Sequence, residues 1–225
     1  MTTRVLGYAS LGLLAIALYG TFFIARSISG EGDAGRIVYF HVPMAWVAFL
    51  AFFVVFGASI AYLRTGNARW DRLGRGSAEV GLVFTTLVLI TGAIWGYPIW
   101  GTWWTWDPKL TTTLILWFMY LAYVMVRAYA EPPRGPRFAA IVGIVAFVDV
   151  PIVYMSSYWW RTLHPPPAIG PLAEAQPSPT IVWILMLSLV AFTVLYAFLV
   201  RVRVEIDETE AAIAMRGELF SGARA

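Results

Sequence analysis

Apolar residues in this chain fall into long uncharged runs separated by short polar stretches. Six runs approach or exceed the about 20 residues a helix needs to cross a bilayer. They cover roughly 5–24, 42–63, 80–100, 110–126, 138–160 and 180–200. The fourth is short, and the fifth contains Asp149. The first is longer than the apolar stretch of a signal peptide and has no small-residue cleavage site after it, so it reads as a span. The pattern predicts an all-α polytopic membrane protein: one domain over 1–225, a bundle of six transmembrane helices with a short cytoplasmic tail over 201–225. Local grammar supports two of the helix starts. Asp107 followed by Pro108 reads as an N-cap with proline at the first helical position, and Ser178 followed by Pro179 repeats it. The proline-rich stretch 164–179 predicts an extended loop, and Glu79 reads as the charge at the N-terminus of the third helix.

Composition sharpens this picture. Of the 225 residues, 60% are hydrophobic and only 13% charged, with a mean hydropathy of +0.71. Soluble domains carry about 25% charged residues. Cysteine is absent, which excludes thiol exchange, iron-sulfur ligation and thioether bonds by this chain. The net charge of +3 would suggest a nucleic-acid partner in a soluble protein; here the basic residues set topology, lipid is the expected surroundings and no nucleic acid is expected. Arg4, Arg64, Arg69, Arg72, Arg75, Arg127, Arg134, Arg137, Arg201, Arg203, Arg216 and Arg224 fall on one side, 12 of the 16 basic residues. Arg26, Arg36, Lys109 and Arg161 fall on the other. By the positive-inside rule both termini are cytoplasmic, and three loops, about 25–41, 95–109 and 159–179, face outward.

The chemistry concentrates in those outward loops. His41 and His164 are the chain's two histidines, and both fall at the outer face. Between them lie five tryptophans within 12 residues, Trp95, Trp100, Trp103, Trp104 and Trp106. Two imidazoles beside a broad aromatic surface suit a haem, whose iron takes axial histidines while indoles cover the porphyrin face. Zinc suits the set less well, since three or four protein ligands would have to include carboxylates such as Asp107. Plainer readings stand beside these. Interfacial tryptophans commonly form a membrane belt, a lone interfacial histidine is often a surface residue, and Asp107 serves either as a helix cap or as an acceptor that orients a ligand or partner. Asp149, two residues before Pro151, is either a proton-linked group or a structural acceptor at the proline break. Arg36, Lys109 and Arg161 either neutralise propionates or anchor helices at headgroups. Both histidines are expected to lie outside the helix-packing surfaces.

The stretch from Trp95 to Asp107, continued through Pro108 to Trp117, resembles the tryptophan-rich signature ending in Trp-Asp of the haem-handling membrane proteins of cytochrome c biogenesis. Pro151 to His164 resembles the companion segment with the second outward histidine, and Tyr39-Phe-His41-Val-Pro43 the first. In order and extent the three blocks are similar to the C-type cytochrome c maturation family, also called haem exporter protein C. Larger relatives with more spans or extra histidine pairs share the signature; two histidines in 225 residues match the small member. The resemblance implies a haem-binding and delivery protein rather than an enzyme, in the bacterial inner membrane with loop and histidines facing the periplasm. It implies His41 and His164 as axial ligands of a non-covalent haem b. It places Trp100, Trp103, Trp104, Trp106 and Asp107 in the haem-binding and docking loop. The implied partners are a membrane-anchored haem chaperone of CcmE type and an ABC-type complex with CcmA, CcmB and CcmD type subunits. The alternative from another class is a secondary transporter of a small molecule, coupled through Asp149 and a histidine. A hydrolase using Ser156 or Ser157 with His164 ranks below it, because no glycine-rich nucleophile turn surrounds those serines.

Overall fold

The computed structural model of the chain describes residues 2–25, 31–130, 134–164 and 178–222. Among these residues the regular structure is helical, without strands, and six segments are long and apolar enough to cross a membrane. Helix α1 spans Thr3–Tyr19 and passes directly into a π-turn, Gly20–Ile24. A 3-10 segment, Gly32–Ile37, leads into α2, Val38–Thr65. Then follow α3, Ala68–Trp100, α4, Pro108–Tyr129, α5, Arg134–Phe147, α6, Asp149–Trp159, and α7, Pro179–Gly222.

Helix ends follow from local chemistry. Gly66 (φ +64°) closes α2 in the left-handed conformation, and the Asn67 side chain accepts from the Arg69 amide to start α3. Gly101 (φ +72°) closes α3 in the same way. The Asp107 carboxylate accepts from the Lys109 amide at the start of α4, with Pro108 at the first turn. The π-turn after α1 leaves its carbonyls to Arg36, whose Nη1 donates to Thr21 O (2.6 Å) and Ala25 O (2.9 Å).

Three elements differ from the apolar pattern. Helix α3 begins at Ala68, so the arginines expected in a connection are helical. Carboxylates face two of them: Arg75 Nε donates to Glu79 (2.9 Å) and its Nη1 to Asp207 (3.0 Å), and Arg72 lies 3.9 Å from Glu208. At the same end Arg203 of α7 pairs with Glu79 and Asp207, and Arg127 of α4 makes a two-pronged bridge to Asp71. Glu79 is therefore an interior member of an ionic network rather than a terminal charge. At 1.5 Å per residue α3 is about 50 Å long, against a hydrocarbon thickness of about 30 Å, so it projects past the lipid at this charged end. The fifth apolar run is two helices. Pro151 has no amide hydrogen to give Phe147, and Val148 N closes a tighter turn to Val145 O (3.2 Å), which breaks the ladder between α5 and α6. Asp149 stands at the first position of α6. In the sixth run α7 continues through Val200 without interruption, supported beyond it by the Arg201–Glu205 and Arg203–Asp207 pairs four residues apart.

Helix α2 is central, lying along α3 and also touching α5 and α7; α1 lies on α7, and α4 on α3, α5 and α6. Bilayer lipid gives no hydrophobic drive for helices to associate, so close packing and interhelical hydrogen bonds hold them. Gly81 admits the Phe52 ring, which stacks on Tyr120 at 3.5 Å between centroids. Gly7 and Gly20 likewise admit Phe198 and Ile184 where α1 meets α7. Trp117 Nε1 donates to Thr86 Oγ1 (2.8 Å), and the Ser77 hydroxyl meets the Tyr196 hydroxyl (2.9 Å). The ionic network gathers at one end of the bundle and the tryptophan-rich loop at the other. Residues 165–177 of the expected proline-rich loop lie outside the described residues.

Candidate functional site

At the aromatic end the last turns of α3 present Thr91, Trp95 and Gly92, Gly96, Trp100 at spacings of four, which puts each set on one helix face. His41 docks on this face from α2. The residue is 8% exposed, its Nδ1 lies 2.9 Å from Thr91 Oγ1, and its ring meets Trp95 edge-on at 5.6 Å and 73°. A Cβ on Gly92 would come 3.1 Å from His41 Cε1, so glycine leaves room for the imidazole. This corrects the expectation that both histidines avoid helix packing. Helix α2 starts at Val38 rather than about 42, which carries His41 out of a loop and onto the buried helix face.

His164 lies beyond α6, half-buried, with its ring 6.5 Å from that of Trp100 at 59°. Trp100 in turn covers Gly96, where a Cβ would overlap its ring at 2.8 Å. The two histidines are thus brought to successive levels of one helix end. Asp107, 7% exposed, fixes the His164 side of this arrangement. Besides capping α4, its Oδ1 accepts from Thr162 Oγ1 (2.7 Å) and its Oδ2 from the Leu163 amide (2.7 Å), while the His164 amide donates to Thr162 Oγ1 (3.1 Å). The cap reading of Asp107 is realised, and the same carboxylate also fastens the chain's own segment bearing His164.

The loop between α3 and α4 separates its tryptophans by exposure. Trp100 and Trp104 are half-buried, while Trp103 and Trp106 are 57% and 77% exposed. Tyr97 stacks on Trp103 at 4.3 Å, folding the loop back over the end of α3, and Trp104 meets Trp106 edge-on. Trp95 Nε1 donates to Glu31 (2.9 Å). Of the cations expected to face outward, Arg36 is engaged by the carbonyls that follow the first helix, Lys109 Nζ reaches Tyr154 O (3.4 Å), and Arg161 is exposed.

Asp149 is not brought to this site. It sits ten residues, about 15 Å along α6, before Trp159, and is buried, with no hydrogen-bond partner for Oδ2 among the described residues. Ser156 donates to Val153 O (2.8 Å). Among the described residues no three His, Asp or Glu side chains gather as ligands for a bare metal ion.

Residues 1–216 match the family model described as Heme exporter protein C, CcmC. The chain belongs to this family. The protein named Heme exporter protein C of Bradyrhizobium diazoefficiens is 36% identical over 203 residues, 88% of this chain and 77% of the relative. That of Haemophilus influenzae is 33% identical over 203 residues, 89% of this chain and 82% of the relative. A mitochondrial ccmC-like protein of Marchantia polymorpha, named for cytochrome c biosynthesis, is 35% identical over 158 residues, 70% of this chain and 67% of the relative.

Within this CcmC-family chain the residues that sequence reasoning missed are those that hold the histidines: Thr91, Gly92, Gly96, Thr162 and the Leu163 amide. Gly92 and Gly96, one turn apart in an otherwise bulky helix end, were a readable signal for close approach. Thr91 was not, since Thr85 and Thr86 occur in the same apolar run and bond back to their own helix as Thr91 does.

Proposed function

We propose that this chain binds haem at the aromatic end of the bundle and delivers it for c-type cytochrome biogenesis. The observation that carries this reading is the seating of His41 and His164 on the same end of α3, beside Trp95 and Trp100. Membership of the CcmC family, whose members are membrane components of transport and biogenesis, gives the cargo class. The donor set fits the group. A porphyrin supplies four in-plane nitrogens, so two imidazoles complete the iron's coordination where a bare ion would need a cluster.

His41 and His164 would hold the iron of a non-covalent haem b, and Trp100, Trp103, Trp104 and Trp106 would offer ring faces that exclude water from it. Asp107 holds the His164 segment against the start of α4. Arg161 and Lys109 stand near the loop as cations for the propionates. Bound haem contributes an iron that two neutral nitrogen ligands hold reversibly. The basic residues gathered at the charged end orient both termini to the cytoplasm and the loop to the periplasm of a bacterial inner membrane. The exposed rings of Trp103 and Trp106 face the bulk, where a membrane-anchored chaperone of CcmE type would dock. The wider assembly is an ABC-type complex with CcmA, CcmB and CcmD type subunits.

The break at Val148 beside buried Asp149 is the observation that favours a secondary transporter. The two readings separate in one experiment: absorption spectra of protein purified from haem-producing cells, wild type against the His41→Ala/His164→Ala double variant. A low-spin bis-imidazole spectrum in the wild type that disappears in the double variant is expected. A wild type that carries no haem and takes up none on titration would overturn the haem-delivery reading and favour transport.

A further inference from the structure

We propose that Thr91 is the positioning residue of the His41 imidazole: its hydroxyl accepts the Nδ1 proton and leaves Nε2 as the ring's lone-pair nitrogen. The value of this to the protein rests on His41 being a haem ligand, as proposed above. The hydrogen bond itself is independent of haem.

Thr91 Oγ1 lies 2.7 Å from Leu87 O and 2.9 Å from His41 Nδ1. A hydroxyl has one proton and two lone pairs, whereas a carbonyl oxygen only accepts. The short contact to Leu87, the back-bond of a helical threonine, commits that single proton. The oxygen then faces His41 with a lone pair, and the contact is a hydrogen bond only if Nδ1 carries hydrogen. In the other tautomer two acceptors would share one proton. A neutral imidazole has one N–H, so Nε2 is bare.

Ring rotation does not relieve the constraint. Gly92 lies against Cε1, Trp95 meets the ring edge-on, and burial removes water as a substitute partner. The resulting chain, Nδ1–H to Oγ1–H to carbonyl, aligns its dipoles, and each bond strengthens the next. Histidines that bind metals commonly have the far nitrogen held in this way, which sets ring orientation before the metal arrives. Here a hydroxyl backed by a helix carbonyl takes the place of the more usual carboxylate or direct carbonyl.

The test uses the full chain in detergent, labelled with 15N-histidine and free of haem, with His164→Ala to assign the two rings. The expected nitrogen spectrum has His41 protonated at Nδ1 and bare at Nε2 in wild type and in Thr91→Ser. Thr91→Val, which keeps the shape and removes the hydroxyl, is expected to mix the tautomers; Thr91→Ala serves if the valine methyl disturbs α2. Haem titration is the second readout, with Thr91→Val weakened about 10- to 100-fold and Thr91→Ser restored to wild-type affinity. A wild-type His41 protonated at Nε2, or a tautomer unchanged in both Thr91→Val and Thr91→Ala, overturns the proposal. If the tautomer pattern holds and the wild type binds no haem, the delivery reading falls and the role of Thr91 in setting the ring stands. If haem binds and the pattern fails, the reverse applies.

Discussion

Replacing Asp107 by asparagine separates the two tasks of that carboxylate. Oδ1 serves the Lys109 amide (2.9 Å) and Thr162 Oγ1 (2.7 Å), while Oδ2 alone serves the Leu163 amide (2.7 Å). An asparagine has one oxygen. With that oxygen in the Oδ1 position the helix cap and the threonine bond survive, and the new NH2 group faces the Leu163 N–H, donor against donor. A hydrogen bond to a charged acceptor contributes about 1.5–3 kcal/mol, which converts to roughly 10- to 100-fold in a local opening equilibrium. The Leu163 amide is therefore expected to exchange with solvent faster by that factor in Asp107→Asn, with exchange at the start of α4 unchanged. Haem affinity is expected to fall by no more than the same factor, because one ligand of two is loosened. Asp107→Ala loses the cap as well, which costs about 1 kcal/mol more and lowers the melting temperature. Hydrogen exchange read by NMR or mass spectrometry over 105–112 and 158–164, with a parallel haem titration, measures both effects. Unchanged Leu163 exchange in Asp107→Asn, or equal loss at both segments, would refute the division of labour.

Two further predictions concern the bundle that carries the site. In Gly81→Ala the new Cβ would stand 2.7 Å from Phe52 Cε1 and 3.0 Å from Ala51 Cβ, and Phe52 is pinned by Tyr120, so a loss of about 1–3 kcal/mol is expected as a lower melting temperature in detergent. Gly57→Ala, where no atom of the described residues would lie within 4 Å of the new Cβ, is the control and is expected to melt at or above the wild type. In the largely covered Asp71–Arg127 bridge, Asp71→Asn or Arg127→Met alone strands one charge and is expected to cost about 3 kcal/mol, with the double variant Asp71→Leu/Arg127→Met recovering most of it. Recovery absent from the thermal melts of the double variant would show that the bridge itself, and not the stranded charge, sets the loss.

The layout of the bundle was legible because membrane helices announce themselves by length and apolarity, and because Asp107-Pro108 and Ser178-Pro179 mark helix starts whatever the tertiary context. Where the pattern stopped, tertiary pairing took over. Arg69, Arg72 and Arg75 look like a cytoplasmic loop until Glu79, Asp207 and Glu208, the last two from the far end of the chain, neutralise the helix that carries them. At the site, residue types pointed to His41, His164 and the tryptophans, and the structure puts both histidines on one helix end. The burial of His41 could not be read, since it depends on a 3-10 turn that starts α2 early. Nor could the Asp107 bonds to Thr162 and Leu163, which span more than fifty residues of sequence and use a backbone amide that no side chain identifies.

The pairing of α1 with α7 has a consequence for how the protein is made. The first helix packs chiefly on the last, through Gly7 against Phe198 and Gly20 against Ile184, and Thr3 Oγ1 donates to Glu205 across 202 residues of sequence (2.6 Å). At a ribosomal rate of about 5–20 residues per second, about 10–30 s separate the emergence of Tyr19 from that of Pro179. Over that interval α1 exists without the helix it packs on, whereas α2 and α3, which lie along each other, are made in succession. The members of the site, from His41 to His164, all precede α7 in the chain, whereas the packing of α1 waits for α7 itself. A nascent chain that stalls before α7 would therefore present an orphaned first helix, the feature by which membrane quality control would tell it from the finished protein.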